Sequence, residues 1–372
     1  MTGPPDPGPP DAGPIVLERA PSRRAFWLRT VLGLSVSVIA LWFVFRTVDL
    51  ASALEILRTA DPAWIAVMLL ALCADIAVRA LRWRVILAPV ARVRYLRALG
   101  YLTTGYAANN VLPARLGELV RAHYVGDREG VSRASALGTI VVERVIDFAV
   151  IVAVAAGSLL LLGIRGDIGS AVLIGGVVAL GLVVGLVLAV VGHRLPGAAR
   201  VEREASRFPR IVSLAATFRA GLRVAGHTRT LIPAILLSFL AWSLTTVTFA
   251  AGAQAVGIEL SWTQAALLAA GVNLVTAIPS GPGFVGTWEL AAVRILALYG
   301  IAGDTAFAFA LLVHVSTLAV TTILGAISFL RLGWLPKAAA RTVSPAADEV
   351  PGLAADDTPG PAADETPGPT VA

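Results

Sequence analysis

Apolar residues run in long unbroken blocks along this chain, and polar residues gather between the blocks. Windows close to the ~20 residues needed to cross a hydrocarbon core about 30 Å thick recur at Ala25–Phe45, Ala63–Ala80, Ala136–Leu162, Ser170–Val191, Leu231–Val256 and Thr305–Leu330. They predict six spanning helices. Two further stretches, Tyr95–Val125 and Thr263–Tyr299, are apolar, then broken by Pro and Gly, then apolar or amphipathic again. Neither arm of either stretch reaches about 20 apolar residues, so each reads as a re-entrant helical hairpin; a full double crossing would leave the same parity.

Composition agrees with an all-α polytopic membrane protein: 57% of the 372 residues are hydrophobic, 15% are charged and mean hydropathy is +0.79. The lone Cys73 lies inside the second window and reads as a small packing residue, which leaves no disulfide framework and no thiolate metal site. No cofactor is expected. The formal charge of +6 is carried by arginines and a single lysine, Lys337. They cluster beside the spans, where attraction to anionic headgroups of the lipid bilayer accounts for them without nucleic acid.

The tails read differently. Residues 1–24 open "MTGPPDPGPPDAGP", too rich in Pro and Gly for a signal peptide, and are expected to be disordered. Residues 336–372 carry the acidic repeat "AADEVPGL AADDTPGP AADETPGP", with too little apolar surface to fold. The transmembrane domain is bounded at 25–335.

Loop charge sets orientation, because Lys and Arg are left on the cytoplasmic side. Six arginines fall between Arg79 and Arg97, and eight between His193 and Thr230, whereas Arg46–Pro62, Gly163–Gly169 and Gly257–Ser261 carry few. Both termini are therefore expected in the cytoplasm. The order is then span, broken hairpin, span, repeated after window four with opposite orientation. Such an inverted repeat places a shared site near the midplane, where the broken segments of the two halves meet. Asn110, Pro113, Gly117 and Glu118 answer Asn273, Pro279, Gly286 and Glu289.

Non-helical backbone at membrane depth is tolerated only where protein or a watery cavity satisfies it, so the breaks should line a cavity. In "NNVLPARLGELVRAHYV" (Asn109–Val125), Pro113 suits the start of a half-helix whose positive end faces the break. Gly281, Gly283 and Gly286 would expose amides ahead of "TWELAAVRILALY". Two helix N-termini aimed at one place make an anion site. Arg115 and Arg121 would add charge, with Glu118 three residues from each; the alternative is a self-neutralised ladder at the interface. In "ERVIDF", Glu143 and Asp147 share a helix face beside Arg144, which suits a structural bridge to Glu118 or Glu289, a headgroup site or a proton relay. Asp75 and Arg79 read as an intrahelical pair near the interface, and His314 as a packing histidine.

At "RALRW" (Arg79–Trp83), "NNVLPARLGELVR" (Asn109–Arg121), "ERVID" (Glu143–Asp147) and "AIPSGPGFVGTWE" (Ala277–Glu289) the chain resembles the lysylphosphatidylglycerol synthase transmembrane family of flippase-like proteins, over about Leu28–Leu332. The resemblance implies an integral inner-membrane protein that handles lipids. In the namesake proteins this region precedes a soluble aminoacyl-transfer domain and is associated with moving the aminoacylated lipid between leaflets; other relatives are joined to lipid-linked glycosyl transfer. Here the longest predicted cytoplasmic segment, about 38 residues, cannot house a catalytic domain, and no "HExxH" or "GxSxG" appears. The expectation is a non-enzymatic lipid flippase or lipid-binding transporter for an anionic or aminoacylated phospholipid or a lipid-linked headgroup. Its site would comprise Asn110, Arg115, Glu118, Arg121, Glu143, Arg144, Asp147, Gly281, Gly283, Gly286 and Glu289. The competing readings are a small-anion or proton-coupled solute transporter and a membrane partner of a separate glycosyltransferase or synthase.

Overall fold

A computed structural model describes residues 23–112, 116–163, 181, 228–276 and 280–333. Every regular element among them is helical: α1 (Arg23–Phe45), α2 (Leu50–Arg58), α3 (Pro62–Leu87), α4 (Tyr95–Val111), α5 (Gly117–Glu129), α6 (Arg133–Leu162), α7 (Thr228–Ala255), α8 (Trp262–Val275), a 3₁₀ turn (Pro282–Phe284), α9 (Thr287–Ala297) and α10 (Gly303–Leu332). Window four, the two tails, Pro113, Arg115 and Pro279 lie outside the described residues, apart from Arg23, Arg24 and Gly181.

Local chemistry sets the helix boundaries. Asp61 caps α3 by accepting the Ala63 amide, with Pro62 at the first helical position, where its missing N–H costs nothing. Ser261 and Gln264 form a reciprocal capping box at the start of α8. Gly130 and Gly163 end α5 and α6 in left-handed backbone, a conformation that L side chains rarely adopt.

Four helices, α3, α6, α7 and α10, are long and apolar enough to cross a membrane; α1 and α2, bent by 83° at their junction, satisfy the same test together. The chain is a multi-pass membrane protein. Two expectations need correction here. The connection Arg46–Pro62 holds the helix α2 rather than a plain loop. Arg79, Arg82 and Arg84, counted above as cytoplasmic loop charges, lie within α3, which runs seven residues past the apolar window, to Leu87.

Both broken stretches are helix pairs with an interruption. The arms α4, α5, α8 and α9 have 17, 13, 14 and 11 residues, all shorter than a straight crossing needs. Packing follows a pattern. α3 lies along α7, α4 lies on α10 and α8 on α6, while α5 joins α4 to α6 and α9 joins α8 to α10. Close approach depends on small residues. A methyl group at Gly325 would lie 2.4 Å from the Thr103 carbonyl oxygen, and one at Gly252 would lie 2.4 Å from Val313. Phe249, Trp288 and Phe309 fill the core beneath the second broken pair; Trp83, Tyr101 and Val125 fill the one beside the first.

Candidate functional site

The largest cluster of buried charge forms where α3, α5, α6 and α7 meet. Asp147 is the fifteenth of thirty residues in α6, so it lies about 21 Å along a helix about 45 Å long, near its midpoint. Charge at such depth is costly unless it is paired or serves a pathway. Arg82, with no exposed surface, is the hub. Its Nη1 donates to Asp147 Oδ1 and to Ser238 Oγ (3.0 Å); its Nη2 donates to Asp147 Oδ2 (2.9 Å) and Glu143 Oε1 (3.0 Å). Arg121 arrives from α5 and donates to Glu143 Oε2 at 2.6 Å.

Two indole rings carry guanidiniums. Arg121 Cζ lies 4.0 Å from the Trp83 ring centroid and Arg79 Cζ lies 4.8 Å from that of Trp242. Trp242 also donates its indole N–H to Asp147 Oδ1 at 3.2 Å. Arg79 holds both oxygens of Asp75 through Nε (2.9 and 2.8 Å) and donates to Thr245 Oγ1 at 3.1 Å. The Asp75–Arg79 pair expected from spacing is thus present, but it is buried among helices rather than placed at an interface.

Arg144 stands apart in this cluster. Its Nη2 donates to Glu143 Oε1 at 2.8 Å, yet its side chain remains 44% exposed. The expected bridge to Glu118 or Glu289 is not made: Arg144 pairs within its own helix and Glu289 pairs with His314. Glu118 is half-buried and, like Tyr106, stays within electrostatic reach of Arg144. Four guanidiniums meet three carboxylates in the bonded network, which leaves one positive charge. The buried donors Arg82 Nε, Arg121 Nε and Trp83 Nε1 have no acceptor among the described residues.

The broken helix pairs come together beside this cluster. Asn110 donates to Thr321 Oγ1 and Thr322 Oγ1 of α10, both at 2.9 Å. Gly283 packs on Leu318 of the same helix, and a methyl group there would lie 3.8 Å from the Asn110 carbonyl oxygen. Of the amides expected to face an anion, those of Gly281 and Gly286 are already engaged, and so is that of Gly117 at the start of α5. Asn109 Oδ1 accepts from the Gly117 amide (2.7 Å), Ser37 Oγ from Gly281 (2.9 Å) and Glu289 Oε2 from Gly286 (2.6 Å). Arginine side chains, rather than bare helix ends, therefore carry the positive charge of this region.

Ser238, Trp242 and Thr245 went unread in the sequence, and Arg82 and Trp83 entered only as a loop charge and as part of the "RALRW" motif. Arg82 stands three residues after Arg79 with Trp83 behind it, one helical face of polar and aromatic groups past an apolar window. That periodicity was the available signal. Among the described residues, no group of three His, Cys, Asp or Glu side chains is placed to hold a metal ion.

Residues 30–325 match the family described as the lysylphosphatidylglycerol synthase TM region. The chain is also similar to "Glycosyltransferase AglD" of Haloferax volcanii, 28% identical over 342 residues that cover 81% of this chain and 54% of that protein. It spans about half the length of that curated relative. Family match, multi-pass helices and buried charge agree: the chain belongs to the family of the lysylphosphatidylglycerol synthase transmembrane region.

Proposed function

We propose that this protein is a lipid flippase or lipid-binding transporter that takes an anionic or aminoacylated phospholipid, or a lipid-linked headgroup, between leaflets. One observation carries the reading: the cluster of Arg79, Arg82, Arg121 and Arg144 holds one more positive charge than its bonded carboxylates cancel, and Arg144 is the partly exposed member. A phosphate offers acceptors to guanidinium forks, which Glu118, near Arg144 but not bonded to it, leaves open. The unmatched N–H groups of Arg82, Arg121 and Trp83 favour the same chemistry.

In this reading Arg144, Arg121 and, from the break of the first hairpin, Arg115 grip the phosphate. Glu118 and Asp147 receive an amine where the headgroup has one. Asn110 and Gly117 shape the first hairpin. Gly281, Gly283, Gly286 and Glu289 shape the second, with Pro279 ahead of it. The two halves form an inverted repeat, which the packing supports: exchanging α3 with α7, α4 with α8, α5 with α9 and α6 with α10 returns the same set of contacting pairs. Six spans then leave both termini in the cytoplasm of a bacterial inner membrane, and the chain itself performs no group transfer.

A second reading draws on the relative named a glycosyltransferase, whose matched part is about half of that protein. There the guest is a lipid-linked sugar phosphate and a separate glycosyltransferase or synthase is the partner. One experiment separates them. Full-length protein is reconstituted in vesicles with fluorescent phospholipids of several headgroups and, in parallel, a polyprenyl-phosphate sugar. Faster leaflet exchange of anionic or aminoacylated phospholipid supports the first reading; exchange of the polyprenyl lipid alone supports the second. Unchanged exchange of every lipid contradicts both.

A further inference from the structure

A second buried titratable group lies beneath the turn of the second hairpin, outside the arginine cluster. His314 of α10 is 3% exposed and stacks on Trp288, with ring centroids 4.7 Å apart and planes 10° from parallel. Its Nε2 lies 2.8 Å from the Gly283 carbonyl oxygen, which can only accept, so Nε2 carries a hydrogen. Its Nδ1 lies 2.5 Å from Glu289 Oε1. Two bare lone pairs repel at that distance, so a second hydrogen sits between them, whichever atom owns it. The dyad therefore holds one proton more than a neutral imidazole facing a carboxylate.

That proton has mechanical consequences. Glu289 Oε2 accepts the Gly286 amide at 2.6 Å, so the dyad fastens Gly283 through the imidazole and Gly286 through the carboxyl group. The turn between them is strained at Phe284, where φ is +60°: a bulky residue occupies left-handed backbone only where its surroundings hold it there, whereas Gly283 (+64°) and Gly286 (+92°) take positive φ freely. Without the proton, the imidazole has one hydrogen for two acceptors. It then loses either the Gly283 carbonyl or the Glu289 carboxylate.

Other charges do not compete for the dyad. Among the described residues no further ionic group lies within ion-pair distance of either member. On the elements packed against it, α1 presents Ser37 and α8 has no ionisable side chain. On α2, Glu55 and Arg58 pair with each other; on α3, so do Asp75 and Arg79. From α4, Arg97 pairs with Glu129, while Tyr106 lies within electrostatic reach of the arginine cluster. The α7 neighbour is Phe249, which packs on Trp288; Arg229 lies at the far start of that helix. On the dyad's own helices, Asp304 accepts the Asp49 amide, and Arg294 and Arg331 are exposed.

We propose that Glu289 and His314 form a proton-binding site whose occupancy decides whether the second hairpin's turn is clamped to α10. The turn packs against α4, which carries Asn110, so a proton bound here acts on the contact between the two broken segments. The proposal holds whatever guest is carried.

The test uses the full chain in nanodiscs, with Cys73→Ser and a spin label on a cysteine replacing the partly exposed Val285, read by electron paramagnetic resonance from pH 5 to 10. The label is expected to be ordered at low pH and to become several-fold more mobile through a single one-proton transition as pH rises. Glu289→Gln mimics the protonated acid, since its carboxamide donates to Nδ1 and accepts from Gly286; its label should stay ordered throughout. His314→Ala should be mobile throughout. A wild-type label that does not change with pH, a Glu289→Gln protein with the wild-type transition, or an ordered His314→Ala label overturns the proposal.

Discussion

Arg82 and Asp147 meet end-on, Nη1 against Oδ1 and Nη2 against Oδ2 at 2.9 Å, and so fasten α3 to α6 inside the apolar body of the protein. Glu143, Ser238 and Trp242 close the same knot from two helices. Removing one member of a buried pair leaves the other charge uncompensated, which costs on the order of 3–5 kcal/mol. Arg82→Ala should lower the unfolding free energy by about that much. Reversible unfolding in mixed micelles measures it, and a loss no larger than that of Arg144→Gln would remove Arg82 from its place as hub.

Arg144 should behave in the opposite way. Glu143 keeps Arg82 and Arg121 when Arg144 is neutralised, so stability changes little. Anionic lipid loses one charge-assisted contact worth roughly 1.5–3 kcal/mol, or about 10- to 150-fold in affinity. Titrating Arg144→Gln protein in nanodiscs with anionic and zwitterionic lipids checks the sign and the selectivity together.

Glycine placement gives a steric prediction. A methyl group at Gly117 would lie 2.1 Å from the Gly105 carbonyl oxygen, and Gly105 itself leaves room for the Arg121 stem, 2.6 Å from where its own methyl would sit. Gly117→Ala and Gly325→Ala should each cost about 1–3 kcal/mol through overpacking. Gly157→Ala on α6 meets nothing within 4 Å and should be neutral or gain up to about 1 kcal/mol from helix propensity. Thermal midpoints of the three variants rank the sites.

Asn110 ties the first hairpin to α10. Asn110→Leu removes its bonds to Thr321 and Thr322, each worth about 0.6 kcal/mol on average inside a membrane. Global stability should barely move, while hydrogen exchange across residues 105–112 should speed up and lipid exchange should fall. Unchanged protection of that segment would show that Asn110 does not hold the hairpin.

Sequence periodicity and punctuation disclosed much of this fold. Apolar windows located α3, α6, α7 and α10, and the Pro and Gly clusters located both breaks, because length in lipid and backbone satisfaction leave few alternatives. Arg79 and Arg82 were misplaced because composition marks where apolar residues stop, whereas α3 continues on the strength of partners in α6 and α7. The occupied amides were hidden for a related reason. Ser37 lies 244 residues from Gly281, and no local pattern announces such a contact. His314 reads as a packing side chain until Glu289 and Gly283 are seen on either side of its ring.

The claim on which the account rests is that the arginine cluster receives an anionic lipid, with Arg144 as its open arm. Native mass spectrometry of the full-length protein, released from nanodiscs of mixed anionic and zwitterionic phospholipid, tests it most directly. Wild-type protein should retain about one anionic lipid per chain, and Arg144→Gln should lose that adduct while keeping its fold. Equal retention of both lipid classes, or an anionic adduct unchanged by Arg144→Gln, would contradict the account.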